Sequence, residues 1–399
     1  MALKHLELLV DIFRPVCNVL DIYDALDTSA LSRLARTCRT LQPVAESRLY
    51  HSFVSSPDKH YIDTPLSFFL TLADCPRVAA HVRDIVVVLD PTEYDATAPL
   101  IIIRRGLAAL TAPLTRLFFI VEPPPRTFAS WTTVSQILCD CTVPISELWL
   151  NTAIDRDLLQ FLKRQDTLRN ITLEPPPRTQ SHLPDPPMED IHASQPGVLS
   201  NLRKFCGPMV LAPLLLGHPT VTHCSYRVHV AFERGTALPS YNTTRRLHTT
   251  LSSLHFGLRS LYLPGVDLHE NLTLDILRNT SLRLPCLRYL GRLILPLGDK
   301  LGEFFQLLNR MSELRFLELT LRDGNQYLTH APEAALRHLV LSCATYCPSL
   351  RTITIKLQTY PTYVYRFDKG TAEGDDAFAN MSVHSIAKGH FEPDLWWDV

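Results

Sequence analysis

Leu258-Arg259-Ser260-Leu261-Tyr262-Leu263 places leucine at the first, fourth and sixth positions of a short run. The last two lie on one face of a β-strand, because strand side chains alternate with period two. The same L-x-x-L-x-L pattern or a near variant starts at Val82, Leu114, Ile145, Leu168, Leu202, Val221, Leu258, Leu290, Leu314 and Leu350. Successive starts are 19 to 37 residues apart, with an average of about 30, a period typical of repeat architectures. Between the runs lie helix-like segments: Leu66 to Cys75, Leu100 to Leu110, Asp155 to Gln165, Gly298 to Met311 and Pro332 to Tyr346. A strand that returns to the next strand through a helix predicts parallel pairing and right-handed crossovers. One repeat cannot bury its own apolar face, so the repeats must stack to share a core.

If the leucines of each run face the core, the third, fifth and seventh positions face the opposite side of the sheet. Among them are Arg116 and Phe118, Glu147 and Trp149, Ser260 and Tyr262, Arg292 and Ile294, Phe316 and Glu318, and Thr354 with Lys356. Aromatic residues and arginine among polar ones match the composition of a protein-binding surface. Trp149, Tyr262, Arg292, Phe316, Glu318 and Thr354 are the candidate contacts for a protein partner. The competing reading is that loops or the C-terminal tail cover some of them and they complete the core.

The repeats are preceded by a different pattern. From Pro15 to Tyr50, apolar residues fall in three short runs at helical spacing: Val16 to Leu26, Leu31 to Leu41 and Val44 to Leu49. Asp27-Thr28-Ser29 can end the first helix and cap the second, since these side chains accept hydrogen bonds from free first-turn N–H groups. Pro15 and Pro43 stand at helix starts, where a missing N–H costs nothing.

This stretch resembles an F-box, the docking module for the Skp1 adaptor of cullin-based ubiquitin ligases. Pro15, Ile22, Leu26, Leu31, Leu34 and Cys38 match family positions, as do Asp27, Arg39 and Pro43-Val44-Ala45, while Arg14 replaces the opening Leu and Leu41 the usual Trp. The resemblance implies that Pro15, Ile22, Leu26, Leu31, Leu34, Cys38 and Leu41 contact a Skp1-like adaptor, and through it a cullin. The repeats resemble an irregular leucine-rich repeat solenoid, and the combination is similar to F-box-like proteins of mushroom-forming fungi. The residues that usually follow the strand, Asn or Cys, are replaced by Ala153, Pro176, Val266 and Arg322. The alternative for the N-terminal helices is a cap on the first edge of the repeat domain.

The expected architecture is α/β: a helical module over 1–53, a curved parallel sheet of about ten irregular repeats over 54–358, and a tail over 359–399 that caps the solenoid. Residues 54 to 65 read as a linker, and the proline-rich stretch 179–198 as an exposed insertion. Glu122-Pro-Pro-Pro-Arg-Thr127 recurs as Glu174-Pro-Pro-Pro-Arg-Thr179. Tri-proline cannot extend a ladder, so it reads as a stiff strand exit or as a motif for a proline-binding domain. Phe391, Leu395, Trp396 and Trp397 would fold back on the last repeat or serve as a partner peptide.

The chain has 399 residues, 46% of them hydrophobic, with 39 lysines and arginines against 40 acidic residues. A net charge of −1 makes no electrostatic case for nucleic acid or an anionic membrane. Ten cysteines without a paired C-x-x-C read as buried free thiols, not as disulfides or a zinc site. Glu7 and Asp11 interrupt the N-terminal apolar run, so neither a signal peptide nor a spanning helix is expected. No G-x-S-x-G, H-E-x-x-H, G-x-x-x-x-G-K-[ST] or G-x-G-x-x-G occurs. The expectation is a non-enzymatic, cytoplasmic or nuclear receptor subunit of an SCF-type ligase, monomeric within its complex and without cofactor or metal. The rival readings are a repeat scaffold with no ligase role and an α/β enzyme with an unrecognised site.

Overall fold

The computed structural model describes residues 27–37, 39, 42–55, 63–89, 97–121, 129–151, 154–174, 199–209, 211–212, 218–227, 241–263, 270–296, 298–321, 332–357, 362–367 and 381–386. It divides into two compact units, Met1–Asn201 and Leu202–Val399.

The first unit opens with helices α1 (Asp27–Thr37) and α2 (Gln42–Leu49), followed by β1 (Ser52–Val54). Then come α3 (Asp63–Asp74), the short α4 (Pro76–Ala79), β2 (Asp84–Leu89), α5 (Thr97–Ala108), β3 (Leu114–Val121), α6 (Ala129–Leu138), β4 (Ile145–Leu150), α7 (Arg156–Lys163) and β5 (Asn170–Leu173). Its strands run in sequence order, and the pairs β1 to β2, β2 to β3, β3 to β4 and β4 to β5 are all parallel. The second unit contains β6 (Lys204–Pro208), β7 (His223–Arg227), α8 (Tyr241–Ser253), β8 (Ser260–Tyr262), α9 (Glu270–Arg283), β9 (Tyr289–Ile294), α10 (Lys300–Leu308), β10 (Phe316–Leu321), α11 (Pro332–Tyr346) and β11 (Thr352–Leu357). These strands too are parallel neighbours in sequence order. This is the α/β leucine-rich repeat arrangement expected, and all ten runs become strands.

The first-, fourth- and sixth-position residues make the core. Leu117, Phe119, Leu148, Leu150, Ile171, Leu261, Leu263, Leu317, Leu319, Ile353 and Ile355 are each at most 2% exposed. Burying each such side chain contributes roughly 1.5–3 kcal/mol before entropy is counted. The helices add their apolar stripes. In α7, Leu158, Leu159, Phe161 and Leu162 are buried, and Asp155 caps the helix by accepting a hydrogen bond from Leu158 N. Helices α3 and α5 approach so closely that a Cβ on Gly106 would sit 2.7 Å from the Phe69 carbonyl oxygen.

Strands at both ends of the ladder carry no leucine signature. At the start, β1 pairs with β2 (Ser52 opposite Asp84), Ser55 Oγ accepts from Val88 N, and Phe53 stacks on Phe68 with ring centroids 3.9 Å apart. At the other end, β12 (Thr362–Phe367) pairs antiparallel with β11, and β13 (Met381–Ile386) antiparallel with β12. The two proline hexapeptides, the 179–198 insertion and the C-terminal aromatics lie outside the described residues, apart from Glu174. Among the described cysteines all are free thiols, with Cys141, Cys224, Cys343 and Cys347 buried. Burial pushes the Cys141 thiol up to about 11 and Cys224 up to about 12, so neither is a ready nucleophile.

Candidate functional site

The most elaborated part of the strand face lies on β8 to β11, around an irregularity in β9. Leu290 pairs with Leu317 and Leu293 with Leu319, so Gly291 and Arg292 together oppose the single residue Glu318. Arg292 absorbs the extra residue in the left-handed region, at φ 63°. Such a bulge re-aims a side chain, and non-glycine residues in this region are costly unless the surroundings hold them. Gly291 is required by space: a Cβ there would lie 2.6 Å from Tyr262 Cδ2 and 2.7 Å from Tyr289 Oη.

The bulge brings five side chains together. Tyr289 Oη donates to Glu318 Oε2 at 2.8 Å, and Lys356 Nζ lies 2.7 Å from Glu318 Oε1. Arg292 Nε donates to Tyr262 Oη at 3.0 Å and lies 3.3 Å from Glu318 Oε1. The Arg292 guanidinium also sits 5.9 Å from the centre of the Tyr262 ring, and the Tyr262 and Tyr289 rings meet edge to face at 6.2 Å. The Glu318 side chain is 2% exposed, that of Lys356 15% and that of Arg292 40%. One buried carboxylate thus holds two cations, Arg292 partly exposed and Lys356 largely buried, and the cluster carries a net positive charge.

The electrostatics follow from burial and these contacts. Burial, and then the Glu318 charge, push the Tyr262 phenol up, and the same two causes raise Tyr289 well above the ordinary tyrosine range. Burial opposes the Arg292 charge, but Tyr262 and Glu318 outweigh it and hold the guanidinium above its usual value. Burial draws the Lys356 ammonium down, against the pull of Glu318 and with a further push from Arg292. Chemically the cluster is a rigid, positively charged platform, and its groups are committed to one another.

Of the residues expected on this face, Tyr262 and Phe316 are half-buried, and Arg292 is the more exposed cation. Glu318 and Thr354 are buried at 1% and 4% exposure, so neither is a direct contact for a partner; Glu318 acts through Arg292 and Lys356. Trp149 lies in the first unit, half-buried and edge-on to Phe118 at 5.5 Å, with its Nε1 buried and without a hydrogen-bond partner. There the third-position residues pair across strands: Arg116 with Asp84 at 2.9 Å, and Asn170 with Glu147 at 2.7 Å.

Reading this run from Leu290 leaves Tyr289 off the face. The backbone starts it at Leu287: Arg288 N donates to Arg259 O at 2.7 Å, and Arg315 N to Arg288 O at 2.8 Å. Leu287-Arg-Tyr-Leu290 aligns with Leu258-Arg-Ser-Leu261 and Leu314-Arg-Phe-Leu317, a signal present in the sequence. The bulge then accounts for the extra residue before Leu293.

At the N-terminus, Leu31 and Ala45 form a small core between α1 and α2, with Leu34, Ala35, Val44 and Leu49 packed on it. Pro15, Ile22, Leu26, Cys38 and Leu41 lie outside the described residues. Helix α2 is tied to the repeat domain: Arg77 on α4 donates to Glu46 Oε1 at 2.9 Å, and Gln42 Nε2 reaches the same oxygen at 2.8 Å.

No protein-family model matches the chain, and no curated protein sequence matches it. Among solved structures, the leucine-rich repeat-containing protein LegL7 from Legionella pneumophila superposes with a TM-score of 0.40 at 13% identity, covering 77% of this chain and 90% of that one. The yeast Rad7 and Elc1 complex superposes with a TM-score of 0.39 at 14% identity, covering 88% of this chain and 89% of the matched one.

Proposed function

We propose that the chain is a protein-binding receptor that holds a target on the strand face of its repeats and an adaptor of the Skp1 type on its N-terminal helices. The observation that carries this reading is the platform at the β9 bulge. A left-handed arginine, a glycine whose missing Cβ makes room for both tyrosines and a buried carboxylate shared by two cations hold Arg292 and Tyr262 in place on an open face. Fixed aromatic and arginine anchors suit recognition, because little side-chain entropy remains to be lost on binding. The adaptor half rests on the residues that match an F-box, including Leu31 and Leu34. The role is positional: the receptor raises the effective concentration of target near whatever the adaptor recruits.

A second reading, a repeat scaffold capped by its own N-terminal helices, is favoured by two observations. Strand β1, directly after α2, joins β2, and Glu46 binds Arg77. A pull-down with purified Skp1 separates the two. The receptor reading expects binding that Ile22→Asp combined with Leu34→Asp abolishes in a folded protein; the scaffold reading expects no binding, or binding that ignores both substitutions.

A further inference from the structure

In the second unit, the residue just after the first apolar position of each parallel run is Arg203, Thr222, Arg259, Arg288, Arg315 and Arg351. Their backbones are joined in series. Thr222 N donates to Arg203 O, Arg259 N to Thr222 O, Arg288 N to Arg259 O, Arg315 N to Arg288 O and Arg351 N to Arg315 O, at 2.7 to 2.9 Å. Neighbours are therefore one strand spacing apart, roughly 4.8 Å, and the row crosses the strands at their entry ends. Arg203, Arg259 and Arg351 are exposed, and Arg288 and Arg315 half-buried.

This row differs from the arginines that pair with the protein's own carboxylates. Arg77, Arg104, Arg116 and Arg278 all bind carboxylates of the protein. None of the five in the row forms an ion pair among the described residues, and the turns that lead into these strands hold a single carboxylate, Glu313. Like charges at this spacing repel, so the row is a standing source of attraction for an anion. It crosses the platform's own strands where they begin: Arg288 precedes Tyr289, and Arg315 precedes Phe316.

We infer that the arginine row binds an extended acidic segment, rich in aspartate or glutamate, of the protein held on the strand face. This rests on the receptor reading. From Arg259 to Arg351 successive strands each carry one guanidinium group, a line of charge that a line of carboxylates can meet, each in fork geometry. A nucleic acid is also a line of charge, and its binding is an outcome of the test.

The test is fluorescence anisotropy with the full chain and three labelled probes: a peptide alternating glutamate and serine, its glutamine counterpart, and an oligouridylate. The glutamate peptide is expected to bind, the glutamine peptide at least about tenfold more weakly, with affinity falling as salt rises. Arg259→Gln, Arg288→Gln, Arg315→Gln and Arg351→Gln together should cost at least about tenfold, and the four Arg→Lys changes less, since charge remains without the fork. If the glutamine variant does not fold, Arg259→Gln with Arg288→Gln, and Arg315→Gln with Arg351→Gln, should each cost about threefold. Equal binding of both peptides, unchanged affinity in the glutamine variants, or tighter binding of the oligouridylate overturns the inference. The variants leave the N-terminal helices untouched, so failure of Skp1 to bind the parent chain would count against the adaptor reading alone.

Discussion

Tyr289 Oη donates a 2.8 Å hydrogen bond to Glu318 Oε2, and this bond joins the two sides of the β9 bulge. Its carboxylate partner is 2% exposed and faces Lys356 and Arg292. Glu318→Gln removes the one negative charge that compensates two cations and should destabilise the chain by about 3 kcal/mol, the low end for a buried pair because Arg292 is partly in water. Adding Lys356→Met should recover part of that loss. Chemical denaturation of Glu318→Gln, Lys356→Met and the double variant measures both, and additivity of the two substitutions would contradict the coupling.

Gly291→Ala places a methyl group within 2.7 Å of both tyrosines. Arg292 then loses its hold on the Tyr262 hydroxyl. A stability loss of about 1–3 kcal/mol is expected for such overpacking, accompanied by weaker capture of the target. Thermal melting and co-purification check the two effects.

Gly106→Ala provides a control away from the face. Alanine favours a helix interior over glycine by about 1 kcal/mol, yet here its Cβ would meet Phe69 O at 2.7 Å and Phe69 Cδ1 at 2.8 Å. The clash should win, lowering stability by about 1–3 kcal/mol while target capture is retained.

Tyr226, Tyr262 and Tyr289 all have raised phenol pKa values, each first because of burial. A group whose folded-state pKa lies above its unfolded one stabilises the fold below the ordinary value, here about 10, and that contribution is lost as pH rises through the folded value. Alkaline titration followed by phenolate absorbance should show a class of tyrosines that ionise late, together with loss of structure. Tyr289→Phe should shrink that class.

The repeats were legible because leucine at the first, fourth and sixth positions is a direct imprint of core packing. Pro332–Tyr346, read from its apolar stripe, is the helix observed. The end strands were not legible: β1, β12 and β13 take their places from hydrogen-bonding to a neighbour's open edge, which demands no leucine pattern. The platform was partly legible. Tyr262, Arg292 and Glu318 follow from alternation, but alternation assumes a regular strand, and the bulge at Gly291 and Arg292 breaks it. Glu318 looked like a surface carboxylate because sequence cannot show Tyr289, Arg292 and Lys356 converging on it.

The central claim is that one surface takes an adaptor and another a target. Affinity purification of the full chain from native cells, beside two folded variants, tests it most directly. The parent chain should bring down a Skp1-type adaptor with a target protein. Ile22→Asp with Leu34→Asp should lose the adaptor and keep the target, and Tyr262→Ala with Arg292→Ala should lose the target and keep the adaptor. No adaptor with the parent chain, or the same losses from both variants, would contradict the account.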